Sequence, residues 1–338
     1  MDLIRKIIST IYLSTLVVFA YSQDIHFSQF LKSPLHLNPS LGGNHNAEWR
    51  LTDIYRTQWF TIKYPFHSHY ISFDKQIYLR KAKFNVGLGM ANDVSGDAVL
   101  GVSKYFFNLS WHPKIKTQHL NIGIQAGYVI KSFNPERLTF PDQYDNLTGY
   151  YDISLGHQDA SVPVKLNYPL INSGISWNTK FGKIYCEAGF SLFNINMPVE
   201  SFISNSNKLK MRKLGYARVI IPFSNDWNLM PAAYFTEINK ASEMLNGFNF
   251  YKNINNQNNS IRQLGIGVYS RNGFKRNVDA VVLTGFMSYR KLELGMAYDL
   301  NISGLRKYSS YQGAIELSVI YMFFHPAHDK FLIPCERY

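Results

Sequence analysis

From residue 48 to residue 323 the chain repeats one pattern: about ten residues in which apolar and polar side chains alternate, then a short break of turn-forming residues. A period of two marks an extended strand with two different faces. Leu120-Asn121-Ile122-Gly123-Ile124-Gln125-Ala126-Gly127-Tyr128 places Leu, Ile, Ala and Tyr on one face and Asn, Gly and Gln on the other. Leu292 to Leu300 turns Leu, Met and Tyr outward and Glu293, Gly295 and Asp299 the other way, and Ile315 to Val319 repeats the theme. About fourteen segments are legible, at 48–60, 68–77, 85–93, 100–112, 119–130, 172–179, 184–193, 209–222, 227–236, 243–251, 261–270, 279–289, 292–300 and 312–323. An even number of antiparallel strands is what bacterial outer-membrane barrels require. A soluble sandwich would bury its apolar faces; here the polar face is rich in Gly, Ser and Asn, which predicts a wet or lightly filled lumen.

The N-terminus supports a route to that membrane. Arg5 and Lys6 precede an apolar run from Ile7 to Phe19, and Ala20-Tyr21-Ser22 is a small-x-small cleavage site, so residues 1–22 read as a signal peptide cleaved near Ser22. The run is shorter than the ~20 apolar residues of a spanning helix. Phe, Tyr and Trp make up 15% of the chain, an excess that two interfacial girdles explain better than one soluble core does. Lys and Arg outnumber Asp and Glu 35 to 23. The basic residues are spread along the turns without a nucleic-acid module, so a face toward anionic headgroups or an acidic partner is the economical reading. Cys186 lies in a strand-like run and Cys335 in a tail; two cysteines leave both a disulfide and free thiols open.

The connections sort into two classes. With a periplasmic N-terminus, the turns at Tyr78–Phe84, Pro113–Gln118, Lys180–Lys183, Phe223–Asp226, Lys252–Ser260 and Arg290–Lys291 fall on the inner side, and all but the fifth are short. The long connections 131–171 and 194–208 fall outside. The first of these carries Phe140-Pro141-Asp142 and Tyr150-Tyr151, and loops of this length are commonly functional or disordered. The domains are then a signal peptide (1–22), an arm or plug (23–47), an outer-membrane barrel (48–324) and a periplasmic tail (325–338).

No catalytic constellation emerges. His67-x-His69 and His325-x-x-His328 lack a third ligand and read as solvated loop and tail histidines. Asn92-Asp93-Val94-Ser95-Gly96-Asp97 reads as a hairpin between the third and fourth strands, with a cation-binding loop as its alternative. Arg56 and Gln58 read either as lumen-facing binding groups or as a snorkelling Arg beside the girdle residue Trp59. No Gly-x-Ser-x-Gly elbow, Walker loop or zinc-protease motif is present, so no enzymatic activity, cofactor or metal is expected.

Four pieces in order resemble the PorP/SprF family of the type IX secretion and gliding system. Gln23 to Gly43 is similar to the family's "QDPxFSQ…NPLxxNPAxAG" opening, with Ile25 at the usual Pro. Tyr55-Arg56-Thr57-Gln58-Trp59 is similar to "YRxQW", and Gly87 to Gly96 to "GxGxxxNDxxG". Tyr298 to Leu305 and Gly313 to Ser318 are similar to "YDxxxSxL…GxxEIxL", and Pro334-Cys335-Glu336-Arg337-Tyr338 resembles a "CPRF"-like end. A departure stands at Tyr269-Ser270-Arg271, where the family tends to have Tyr-Arg directly.

The resemblance implies an outer-membrane barrel that supports export or surface anchoring of a large secreted adhesin through its C-terminal domain. It also implies periplasmic peptidoglycan-binding or secretion-machinery partners. The positions expected to bind a partner or plug the lumen are Asp24, Phe27, Ser28, Gln29, Pro34, Asn38, Pro39, Arg56, Gln58, Trp59, Asn92, Asp93, Phe140, Asp142, Tyr150 and Tyr151. A passive porin or FadL-like transporter would use the same barrel and stays open as the alternative. A barrel of about fourteen strands is wider than an eight-stranded one, which its own side chains can fill. Either something occupies the lumen or it is a pore.

Overall fold

A computed structural model describes residues 25–80, 82–96, 99–115, 118–145, 148–152, 164–202, 207–239, 241–254, 260–273, 278–304, 306 and 311–324. The signal segment, Asp24, Asp97, Asn205, most of the Asn253–Asn259 stretch, and the tail with His325, His328 and Cys335 lie outside the described residues.

Fourteen antiparallel strands close into a barrel. They are β1 (Trp49–Gln58), β2 (Phe66–Leu79), β3 (Ala82–Ser95), β4 (Leu100–Trp111), β5 (Gln118–Ser132), β6 (Lys165–Phe181), β7 (Ile184–Phe193), β8 (Arg212–Pro222), β9 (Trp227–Ile238), β10 (Ala241–Asn253), β11 (Ile261–Asn272), β12 (Val278–Tyr289), β13 (Leu292–Asn301) and β14 (Gln312–Phe323). Each pairs with its predecessor, and β14 returns to β1, Phe323 opposite Trp49 and Ala314 opposite Gln58. Closure leaves no sheet edge, which is the condition for strands to cross lipid. No helix among the described residues is long and apolar enough to cross a membrane.

Period-two burial follows from lipid outside and packing inside. On β1, Arg50, Thr52, Ile54 and Arg56 are buried inward while Leu51 and Tyr55 are exposed. Trp49 clusters with Phe73, Tyr321 and Phe323 at the inner end of this wall, and Trp59 meets Phe66 at the outer end. Ten residues at ~3.3 Å each and a tilt near 40° span roughly 25 Å, the height of the apolar band. The short turns and the start and finish of the barrel's chain, Trp49 and Phe323, sit on the inner side, which is therefore periplasmic.

Two boundary differences bear on the outer loops. β6 starts at Lys165 rather than 172, so the long outer loop is 133–164. In its first turns the apolar side chains point inward instead of outward: Tyr168 and Leu170 are buried with Val129 in a cluster against Leu166, Val102 and Leu209. This stretch stands above the lipid, where water replaces acyl chains outside, so the lipid-facing alternation reverses and hides the strand. The second outer connection runs to β8 at Arg212, and among its described residues a bridge joins Val199 to Lys208. His67 and His69 lie on β2, not in a loop, and Asp93 lies within β3, not in a turn.

Of the two alternatives that the barrel's width leaves open, an occupied lumen or a pore, the described residues show the first, with the inner mouth left open. Residues 25–47 enter the barrel and pack there as three short turns, Phe30–Lys32, Pro34–Leu37 and Pro39–Leu41. Proline at the first position of the second and third turns supplies the helical φ where no N–H is needed. One core cluster joins Phe30, Leu37 and Leu41 to Leu214, Tyr234, Leu245 and Tyr269 on the β7–β13 wall. A second joins Ile25 and Phe27 to Ile54, Tyr70 and Ala91 on the β1–β3 wall. The inward glycines serve this approach: a Cβ at Gly123 would fall on the backbone of Pro39, and one at Gly174 on the Asn38 side chain.

Candidate functional site

The arm is anchored at three places, two by charge and one by neutral amides and hydroxyls. At the first, the Glu316 carboxylate accepts the consecutive backbone amides of Ser28 (2.7 Å) and Gln29 (2.8 Å). Ser28 Oγ donates to Asp299 (2.7 Å) and accepts from Arg56 (2.7 Å) and Arg271 (2.6 Å). Both guanidinium groups also bond Asp299, at 2.8 and 2.6 Å. Arg56 and Glu316 are fully buried, so each charge relies on the others for solvation.

At the second, Asp74 takes a paired contact from Arg50 (2.9 and 3.1 Å), the Gly43 amide (2.7 Å) and His45 Nε2 (3.0 Å). At the third, the Asn38 side-chain amide donates to the carbonyls of Ile175 and Phe190, and its oxygen caps Ser40. Pro39 O accepts from Asn108 and Ser110, Leu35 O from Gln125, and Leu37 O from Ser191. The inward Asn, Gln and Ser residues thus satisfy the carbonyls of a non-repetitive segment that has few internal partners.

Two partly buried arm histidines are held below the ordinary imidazole range. Burial pushes His26 down to about 4, although Glu243 lies 3.9 Å away. Burial also lowers His45, with Arg50 adding to the effect. A neutral His45 donates from Nε2, since Asp74 only accepts.

The structure gathers Phe27, Ser28, Gln29, Pro34, Asn38 and Pro39 inside the lumen with Arg56, and Gln58 accepts a long contact from Arg56. Trp59 stands apart at the outer end, with a left-handed φ of 53° and its amide on Gly313. Asp93 accepts from Ser68 inside the wall, whereas Asn92 faces outward and bonds Ser103. Phe140, Asp142, Tyr150 and Tyr151 belong to the outer loop, where Tyr144–Asp145 pairs with Tyr150–Tyr151 and Tyr150 is 77% exposed. Asp24 lies outside the described residues.

Sequence reasoning did not single out Arg50, Asp74, Glu187, Arg271, Asp299 or Glu316 as site residues. Their signal was parity: each is a charge on the lumen face of a membrane strand, where an unpaired charge is costly. On the outer wall, His69 meets Asp53 (2.6 Å) and Tyr55 OH meets His67 Nδ1 (2.8 Å), a polar interruption of the apolar band. Among the described residues no group of three potential ligands converges on a metal position.

A family model described as the type IX secretion system membrane protein PorP/SprF matches residues 19–321. No curated protein matches the chain at a significant level. Among solved structures, the CymD monoaromatic hydrocarbon channel aligns at 11% identity over 87% of this chain and 93% of that one, with a TM-score of 0.50. The Ralstonia pickettii toluene transporter TbuX aligns at 9% identity over 86% and 93%, with a TM-score of 0.49. At such identities the similarity to CymD concerns the barrel fold alone.

Proposed function

Because this chain belongs to the PorP/SprF family of type IX secretion system membrane proteins, we propose that it supports export or surface anchoring of a large secreted adhesin, holding the adhesin's C-terminal domain at its outer loops. The observation that carries this reading is the division between the two mouths. The outer mouth bears the longest connection, 133–164, with its own paired segment and the exposed Tyr150 and Tyr151. Long loops displayed by a rigid scaffold are where recognition concentrates. The lumen, by contrast, is occupied by an arm bonded through Ser28, Asn38 and Gly43. We assign that arm a plugging role and the inner mouth the contacts with periplasmic machinery.

Deleting residues 137–160 should leave an inserted, heat-modifiable barrel that no longer retains a large protein at the cell surface. Co-purification of that surface protein with the wild-type barrel is the companion measurement. Surface retention unaffected by the loop deletion would overturn the assignment. A passive porin is the competing reading, and the buried charge network between arm and wall speaks for a plug over a permanently open pore.

A further inference from the structure

The inner mouth is a cup of about 1810 Å³, bounded by the periplasmic ends of the strands and floored by Asn44–Asn46 of the arm. It is well above the ~300–1,000 Å³ of a small-molecule pocket. Its charge is one-sided. Lys83, Lys180, Lys183, Arg262, Arg290 and Lys291 line it from four separate inner hairpins, and all but Lys83 are exposed. Among the described residues none of the six pairs with a carboxylate. The other basic group, Arg218, is taken by Glu187 (2.9 Å), and the cup's acidic residue, Glu293, is engaged by Lys32 of the arm. The C-terminal tail leaves from Phe324 at the rim, yet its charges are Asp329 and Glu336 against Lys330 and Arg337. Its side-chain charges cancel, so at most a terminal carboxylate is left against six cations.

We infer that this vestibule is a docking site for an extended acidic polypeptide segment of a periplasmic partner. The cations come from different strand ends around a concave opening, so a ligand meeting them must distribute its negative charge along a chain. Between them, Asn178 presents an amide suited to a peptide backbone, and Ile220 and Met322 present apolar surface. A lipid headgroup would have to leave the bilayer to enter a cup enclosed by the barrel wall. Uncompensated cations at a low-dielectric mouth focus the field into the opening, steering an acidic segment inward. The inference rests on barrel orientation and not on the adhesin reading, so either can fail alone.

The test uses the purified full-length barrel in detergent and a fluorescein-labelled decapeptide of alternating Glu and Ser. Wild type should bind it saturably, and raising NaCl from ~50 to ~500 mM should weaken binding strongly, as screening shortens the range of charge. The triple variant Lys180→Glu/Lys183→Glu/Arg290→Glu should lose at least tenfold in affinity. The same charge change at the opposite mouth, Lys208→Glu/Lys210→Glu/Lys213→Glu, should leave affinity within twofold. Circular dichroism and heat-modifiable migration confirm that both variants are folded. Absence of saturable binding, equal loss in the two variants, or displacement of the peptide by short-chain phosphatidylglycerol below the peptide's own dissociation constant would each overturn the inference.

Discussion

Ser28 Oγ stands among three charged side chains, and its neighbours set what a substitution there does. Removing one carboxylate, as in Asp299→Asn, leaves Arg56 and Arg271 buried with less than full compensation. Breaking such a buried pair costs about 3–5 kcal/mol. The expected outcome is a barrel that still inserts but exposes its arm to protease, with a lowered unfolding temperature in detergent. Ser28→Ala removes a hydroxyl and leaves the charges in place, so a smaller loss of about 1–3 kcal/mol is expected. The arm histidines add a pH dependence. His26 titrates near 4 when docked and at the ordinary 6.5 when released. Above the ordinary value both states are neutral and docking is at full strength. As pH falls from 6.5 toward 4, the released arm takes up the proton first, so docking weakens by about 1.4 kcal/mol per pH unit from this group. His45, also lowered, acts in the same direction. Protease cleavage of the arm measured from pH 8 to pH 4.5 should accelerate on the acid side, and His26→Gln should flatten the profile.

Among the elements, the strands accommodate the arm by omitting side chains where its backbone comes near. Gly123 on β5 faces Pro39, and Gly215 on β8 has open space around it. Gly123→Val should therefore displace the arm, detected as protease access and a reduced unfolding temperature, while Gly215→Ala should behave as wild type. Equal effects of the two would mean that the glycines matter for strand propensity and not for arm approach. Inward Gly, Ser and Asn looked in the sequence like the lining of a watery lumen. They instead line the seat of a peptide segment, and composition alone does not separate the two, because both call for small or polar groups.

For the whole molecule, orientation and filling are separately testable. A tag at Tyr150 should be reachable on intact cells and one at Gly182 should not; the reverse would invert the barrel. Deleting residues 25–40 removes Phe27, Phe30, Leu35 and Leu37 from the interior along with the arm partners of Asp299 and Glu316. Each large apolar side chain contributes about 1.5–3 kcal/mol when buried. That deletion should raise single-channel conductance in planar bilayers or prevent stable insertion. An unchanged, closed and stable barrel would show that the arm is dispensable for filling the lumen.

Fourteen strands, their outward faces and the sorting of short and long connections were legible in the residues alone. The physical reason is that lipid imposes one local rule, apolar outward at every second position, along the whole band. That rule fails in the first turns of β6, where the strand rises out of lipid and its apolar face turns inward. The lumen obeys no such local rule. Ser28 meets Glu316 across 288 positions of chain, and Asn38 meets Phe190 across 152. Whether the inward face of a strand touches water, a charge or a peptide backbone depends on what lies opposite it in space. Only closure of the barrel around residues 25–47 decided which buried carboxylates found amides, which arginines found carboxylates, and which cations at the inner mouth were left without either.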